Sequence, residues 1–408
     1  VRKSERVLYT IPGSLPAIGT PMPGCVFVDR CPLATDVCHT DPPGPTAIGD
    51  GRFARCHHID RLGELGTTDG APTVPTAQGE VVLSVNSLSK TFHQAGHSVP
   101  ALVGVDLQLA DGETLGLVGE SGSGKSTLAK TILGIHAPDA GGVIEVAGET
   151  VPGTVSHRSQ NAKRSLQMVF QNPDSALNSS WTVRRILARS VRKLTAVRGA
   201  EADARVDQLA EHLRLSQRHL DLKPRQLSGG LKQRVAIARA FAGDPKIVVC
   251  DEPTSALDVS VQAAILNLLA DLQAKERTSY LFISHDLGVV RYLADRIAVM
   301  YLGRVMELGK TDLLTTGPNH PYTEALLSAV PSVDGQPSTR IRLEGEIPSP
   351  ANPPTGCVFH PRCPRRLGEV CETTEPPLVE AAPGHQMRCH IPIDELRRLQ
   401  AATLAAAE

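Results

Sequence analysis

The sequence predicts an α/β fold flanked by two small loop-rich modules of four cysteines each, and three observations predict it. A short apolar run, Leu115-Gly116-Leu117-Val118, leads into Gly119-Glu120-Ser121-Gly122-Ser123-Gly124-Lys125-Ser126-Thr127, and apolar residues at helical spacing follow in Leu128-Ala129-Lys130-Thr131-Ile132-Leu133. A second apolar strand, Ile247-Val248-Val249-Cys250, ends in two acids, Asp251 and Glu252. A segment with four spaced cysteines occurs twice, once near each end of the chain.

Strand, glycine loop and helix, in that order, is the context that the pattern G-x-x-x-x-G-K-[ST] requires. The glycines let backbone N–H groups turn inward as an anion nest, and the helix N-terminus adds partial positive charge. Gly119, Ser121, Gly122, Gly124 and Thr127 are therefore expected to surround a phosphate chain. Lys125 is expected to reach the β- and γ-phosphates, and the Ser126 hydroxyl to ligate Mg²⁺.

The 408 residues suffice for two or three domains with an ample core. Formal net charge is −1 and no long basic block occurs, so a nucleic-acid partner has little electrostatic support and none is expected. Apolar stretches are strand-sized, well short of the roughly 20 residues that span a bilayer. Val1-Arg2-Lys3-Ser4-Glu5-Arg6 is followed by no apolar h-region, so a cytoplasmic protein is expected. Nine cysteines in that compartment argue against a disulfide framework and for metal or redox chemistry.

Residues 1–62 are rich in Pro and Gly and carry Cys25, Cys31, Cys38 and Cys56, spaced C-x5-C-x6-C-x17-C. Cys357, Cys363, Cys371 and Cys389 are spaced C-x5-C-x7-C-x17-C. The flanks match as well: Gly24-Cys25-Val26-Phe27 with Gly356-Cys357-Val358-Phe359, Arg30-Cys31-Pro32 with Arg362-Cys363-Pro364, and Arg55-Cys56-His57 with Arg388-Cys389-His390. This is an internal repeat. Four thiolates in a loop-rich segment suit an Fe–S cluster or zinc, and the absence of short C-x2-C knuckles leans away from zinc. Buried, unligated cysteines are the alternative. His57, His58, His360 and His390 are either substitute ligands or ordinary neighbours of the cysteines. Residues 63–80, dominated by Gly, Thr and Pro, read as a flexible tether.

A strand pattern opens at Val81 and continues through Phe92, an aromatic placed either to stack on adenine or to fill a core. Val103, Val105, Leu107 and Leu109 alternate as a strand leading into the loop. Gln171 ends a further strand, where it can contact Mg²⁺ or the attacking water. A helical stretch runs from Thr182 to about Leu222. Leu227-Ser228-Gly229-Gly230 then precedes a helix and forms a second anion site of backbone N–H groups. One domain does not need two such sites, but a dimer does if Ser228, Gly229 and Gly230 close over the partner's ATP. Asp251 is expected to hold Mg²⁺ and Glu252 to polarise the attacking water. Cys250 reads as core. Ser255-Ala256-Leu257-Asp258 begins a helix, and His285 closes the strand Tyr280–Ser284, placed to touch a γ-phosphate.

In this order the residues resemble the ATP-binding-cassette (ABC) family: Walker A at 119–126, Q-loop at Gln171, signature at 227–231, Walker B at 247–252, D-loop at 255–258 and switch histidine at His285. The resemblance implies a P-loop NTPase fold with a nucleotide-binding domain over 81–312, a helical subdomain at about 172–240, and ATP and Mg²⁺ as ligands, with Asp258 among the nucleotide-site residues. Leu231 departs from the family's usual Gln, which implies altered tuning rather than a dead site.

Gly317-Pro318-Asn319-His320-Pro321-Tyr322 and the cysteines beyond it resemble the C-terminal extension of oligopeptide/dipeptide importer ATPases, here 313–408. That similarity implies peptide or nickel uptake at the cytoplasmic face of the cell membrane, with two transmembrane permease subunits and an extracytoplasmic peptide-binding protein. It also implies a [4Fe–4S] cluster on Cys357, Cys363, Cys371 and Cys389, and by repetition on Cys25, Cys31, Cys38 and Cys56. The first segment then resembles the tail of a preceding ATPase domain, as in a tandem fusion, with the second ATPase half supplied by another domain or subunit. The rival readings are a redox-sensing regulatory subunit and a non-transport cassette ATPase.

Overall fold

The computed structural model describes residues 7–8, 10–11, 19–49, 51–64, 79–94, 97–330 and 340–405. The expected tether falls mostly in 65–78, outside the described residues.

Two sheets build the cassette. β3 (Val81–Gln94), β4 (His97–Ala110), β6 (Val143–Val146) and β7 (Glu149–Thr150) form an antiparallel sheet in the order β4-β3-β6-β7. Its buried face, with Val85, Leu88, Val105 and Leu109, packs around the helix Lys125–Ile132. The alternation read in β4 holds from Val105 onward, but Leu102 is the buried residue before it, while Val103 is half-buried. The cause is a bulge: Gly104 sits at φ +54° and the β3–β4 register shifts there. One extra residue reverses which side chains face inward.

The larger sheet has eight strands in the order β13-β14-β12-β11-β5-β10-β9-β8. β5 (Thr114–Val118), β8 (Leu166–Val169), β9 (Ile247–Asp251), β10 (Ser279–Ile283) and β11 (Arg296–Tyr301) run parallel. β5, β9 and β10 are buried along their whole lengths, which is why they read as unbroken apolar runs. The glycine loop, Gln171, Asp251–Glu252 and His285 thus sit at the carboxyl ends of four adjacent parallel strands, where open α/β sheets place their ligands.

The expected single helical stretch is three helices, Val183–Leu194, Gly199–His212 and Gln217–Asp221. The first starts on Thr182, whose side chain accepts the Arg185 N–H, and the third on a capping box made by Ser216 and His219.

β12 (Arg304–Lys310) is the hinge between cassette and extension. The hairpin β13 (Leu378–Ala382) and β14 (His385–Arg388) adds to the same sheet, with Glu307 opposite Met387 and Leu308 opposite Gln386. A fully buried pair, His385 Nε2 to Glu307 Oε1 at 2.7 Å, locks this join. Cys357, Val358, Phe359 and Cys371 belong to the main apolar core. The extension is therefore built into the cassette.

The two cysteine segments share one local scaffold. Cys25 N–H donates to the Cys38 carbonyl at 2.7 Å, and Cys357 N–H to the Cys371 carbonyl at 2.9 Å. A Cβ on Gly24 or Gly356 would lie 2.3 or 2.6 Å from those same carbonyls, which explains the shared Gly-Cys. Each segment also carries a short hairpin; in the first it is β1 (Pro45–Ala47) with β2 (Phe53–Arg55). Packing separates the copies: Val358 is 4% exposed against 68% for Val26.

Candidate nucleotide-binding site

The loop takes its shape from backbone conformations that need glycine. Gly119 (φ +147°) passes so close to β11 that a Cβ would lie 2.2 Å from the Met300 carbonyl. Gly124 (φ +103°) is the N-cap of the helix that begins at Lys125, and its Cβ would lie 2.7 Å from the Ala101 carbonyl. The Lys125 ammonium is folded back onto its own loop, donating to the carbonyls of Gly119 (2.7 Å) and Glu120 (2.9 Å) and to Ser123 Oγ (3.2 Å). Burial lowers its pKa, opposed by Glu252, Asp251 and Glu120.

Ser126 Oγ donates to Asp251 Oδ1 at 3.2 Å, joining the loop helix to the end of β9. Burial raises the Asp251 pKa, with the Ser126 hydrogen bond acting against it. Two hard oxygens side by side beneath the loop fit the donor chemistry of Mg²⁺. Glu252 follows at φ +45°, a conformation that costs a non-glycine residue about 1–3 kcal/mol and clusters at functional sites. It directs the carboxylate out of the strand line. Gln171 Nε2 donates to Oε2 at 2.8 Å, and His285 Nδ1 lies 3.1 Å from Oε1. The structure thus gathers Gln171, Glu252 and His285 into one cluster, from the ends of β8, β9 and β10.

Other expected residues lie outside that three-residue cluster. Phe92 is half-buried, edge-on to His136 at 5.2 Å and beneath the Lys90 ammonium, so it is not a core residue. Ser228 is the N-cap of the helix Gly229–Ala240, accepting the Leu231 N–H at 3.4 Å. Gly230 lies against the helix Val259–Glu276, where a Cβ would meet Val261 at 2.6 Å. Leu231 packs on the main core. Ser255–Leu257 precede that helix rather than opening it. Asp258 is its N-cap, with Oδ1 accepting the Val261 N–H at 3.1 Å.

Among the described residues, no group of three or more His, Cys, Asp or Glu side chains is placed to hold a metal ion. Burial pushes Cys363 up to about 12 and Cys389 up to about 11, with neighbouring cysteines of the set adding to both. The thiols of the second set influence one another without forming such a group. In the first segment His58 Nε2 lies 3.6 Å from Cys38 Sγ, whereas His57 bonds the Asp41 carbonyl and His390 the Thr374 carbonyl.

Sequence reasoning missed Glu120, Tyr322 and Arg362, which meet at the loop. Glu120 carries no signal inside a motif that leaves its position open, and Arg362 is 242 residues away.

An anion nest on a helix N-terminus, an acid pair at the end of a parallel strand, and a polar Gln–Glu–His cluster beside them define a P-loop ATPase cassette. Comparison with known proteins agrees. Residues 102–255 match the family model "ABC transporter", and residues 1–38 and 306–371 match "Oligopeptide/dipeptide transporter, C-terminal region". The di/tripeptide transport ATP-binding protein DppF of Pseudomonas aeruginosa is 44% identical over 76% of this chain and 98% of its own. The oligopeptide transport ATP-binding protein AppF of Bacillus subtilis is 40% identical over 77% and 98%. Among solved structures, the ADP- and Pi-bound dimer of the ATP-binding cassette MJ0796 matches with TM-score 0.50 at 30% identity, covering 56% of this chain and 98% of that one. The chain belongs to the ABC transporter ATPases that carry the oligopeptide/dipeptide C-terminal region, and it is an ATPase.

Proposed function

We propose that this chain hydrolyses ATP between two cassettes to drive peptide uptake through a membrane permease. The observation that carries the reading is the 44% and 40% identity to peptide-transport ATP-binding proteins over 98% of their lengths. Lys125 and the 119–127 nest bind the phosphates, and Glu252 orients water while His285 and Gln171 hold its two oxygens. Ser126 and Asp251 would hold Mg²⁺, which when bound neutralises phosphate charge. Ser228, Gly229 and Gly230 cap the nucleotide of the opposing cassette, so ATP favours the closed pair and phosphate release the open one.

Next to Gln171, a cleft of about 610 Å³ combines apolar residues such as Ile135, Met168 and Phe170 with basic ones such as Lys163, Lys193 and Arg239, and suits an amphipathic helix end of a permease subunit. Among the described residues no helix is long and apolar enough to cross a membrane. Attachment to the cytoplasmic face through two permease subunits fits that, with peptide delivered by an extracytoplasmic binding protein. The first segment acts as the tail of another cassette: its Val26 is open where Val358 is covered. Phe92 stacks on adenine, and Asp258, besides capping its helix, belongs to the nucleotide site. The finer reading, a [4Fe–4S] or zinc centre on each cysteine set, rests on the repeat and on the resemblance. Iron, zinc and sulfide analysis of anaerobically purified protein tests it.

The functional test is uptake of a labelled tripeptide into proteoliposomes holding the chain, its permease and its binding protein. Uptake that needs ATP and disappears in Lys125→Ala is expected; equal uptake by Lys125→Ala overturns the proposal.

A further inference from the structure

The C-terminal extension reaches into the nucleotide site. Glu120 is the second residue of the glycine loop, and the extension holds it twice. The Glu120 N–H donates to the Tyr322 hydroxyl at 2.8 Å. The Arg362 guanidinium grips its carboxylate as a fork, Nη1 to Oε2 at 2.5 Å and Nη2 to Oε1 at 3.1 Å. The Arg362 side chain is only 7% exposed and that of Glu120 28%, so the guanidinium end of the pair is shielded from solvent and the carboxylate end only partly so.

We infer that Arg362 and Tyr322 are positioning residues of the nucleotide site, fixing and neutralising the Glu120 limb of the phosphate loop. The inference rests on reading residues 119–127 as that loop. A carboxylate on a loop built for a polyanion opposes binding unless a cation cancels it, and Arg362 supplies the cation. The Glu120 carbonyl also accepts a hydrogen bond from the Lys125 ammonium, so holding Glu120 in place holds one of the partners of the phosphate-binding lysine.

The brace is rigid because its own base is packed. Arg362 ends the short turn His360–Arg362, immediately after Phe359. Phe359 is fully buried, with ring centroids 5.3 Å from Tyr301 and 5.2 Å from Tyr322. Tyr301 ends β11, the strand whose Met300 carbonyl lies against Gly119. One aromatic cluster therefore joins the floor of the loop to the turn beside Cys363. Disorder in residues 357–363 removes Arg362 from the loop without touching any residue that faces nucleotide.

The test is a charge-paired mutant cycle in the full chain, read as the Kd for a fluorescent ATP analogue and as KM and kcat. Arg362→Gln leaves Glu120 uncompensated, and the expected result is an affinity loss on the order of tenfold or more, carried by KM rather than kcat. Adding Glu120→Gln to Arg362→Gln removes the charge that needed cancelling and recovers most of that loss. A merely structural Arg362 gives no recovery, and that result overturns the inference, as does wild-type affinity in Arg362→Gln. If Arg362→Gln fails to fold by circular dichroism, Tyr322→Phe and Arg362→Lys carry the test. The first deletes only the hydroxyl and the second keeps the charge without the fork. Wild-type Kd in both overturns the inference, and weakened binding in either supports it. Lys125→Ala separates the two levels: if it binds the analogue normally, the loop assignment fails; if it alone loses binding, only the brace fails.

Discussion

Replacing Glu252 with Gln separates the chemistry of the site from its binding. The substitution keeps the side chain's length and one accepting oxygen, and turns the other into an amide donor. In the structure Oε2 accepts from Gln171 at 2.8 Å and Oε1 faces His285 Nδ1 at 3.1 Å, so a glutamine can keep the first interaction. It cannot draw a proton from water at neutral pH. A positioned general base is worth roughly 10²–10⁴-fold in rate. At about 1.4 kcal/mol per tenfold this is roughly 3–5 kcal/mol of barrier. The His285 side chain is 63% exposed, so losing its carboxylate partner costs the folded protein about 1 kcal/mol or less. Lys125, Ser126 and the glycine loop are untouched. Phosphate release followed with a fluorescent phosphate sensor should therefore fall by at least about a hundredfold. ATP affinity measured by titration should stay near that of the wild type. Hydrolysis within about tenfold of wild type would refute the assignment of Glu252 as the water-orienting group. Loss of binding together with turnover would refute the claim that the carboxylate acts on chemistry alone.

Gly119→Ala places a Cβ 2.2 Å from the Met300 carbonyl at φ +147°, so it should abolish nucleotide binding while Gly122→Ala, with open space around its Cβ, weakens it less; binding titrations compare the two. Asp258→Ala removes the N-cap of the helix Val259–Glu276 and should cost about 1 kcal/mol in urea unfolding. Burial pushes the His320 imidazole down to about 4, and its Nδ1 accepts the Tyr322 N–H at 3.1 Å. A folded pKa below the unfolded value of about 6.5 means that this contribution is intact above pH 6.5 and is lost as pH falls toward 4, by about 3 kcal/mol in all. His320→Asn, an acceptor that does not titrate there, should flatten the stability profile measured between pH 8 and pH 5; parallel profiles would contradict the assignment.

Much of this site is legible in the sequence because its physics is local. A nest needs glycines in fixed register with Lys125 and Ser126, and a fully buried parallel strand must read as an apolar run, so β5 and β9 announce themselves. What escapes is what depends on the third dimension. The Gly104 bulge shifts β4 by one residue, and no periodicity survives such a slip. Asp258 reads as a nucleotide-site residue only through its place in the motif series; that its carboxylate also caps a helix shows only in the fold. The Cys repeat is plain in the sequence, but spacing cannot say whether four thiols converge. Glu120, Tyr322 and Arg362 come together only because β12 carries the chain back alongside β11 and the extension folds over the loop's floor.

The most direct measurement is ATP hydrolysis by the chain reconstituted with the permease subunits and binding protein proposed for it, with and without a dipeptide. Hydrolysis that is low for the isolated chain, rises when peptide-loaded binding protein meets the assembled complex, and vanishes in Lys125→Ala is the result predicted here. Hydrolysis that is indifferent both to the permease and to peptide would contradict it.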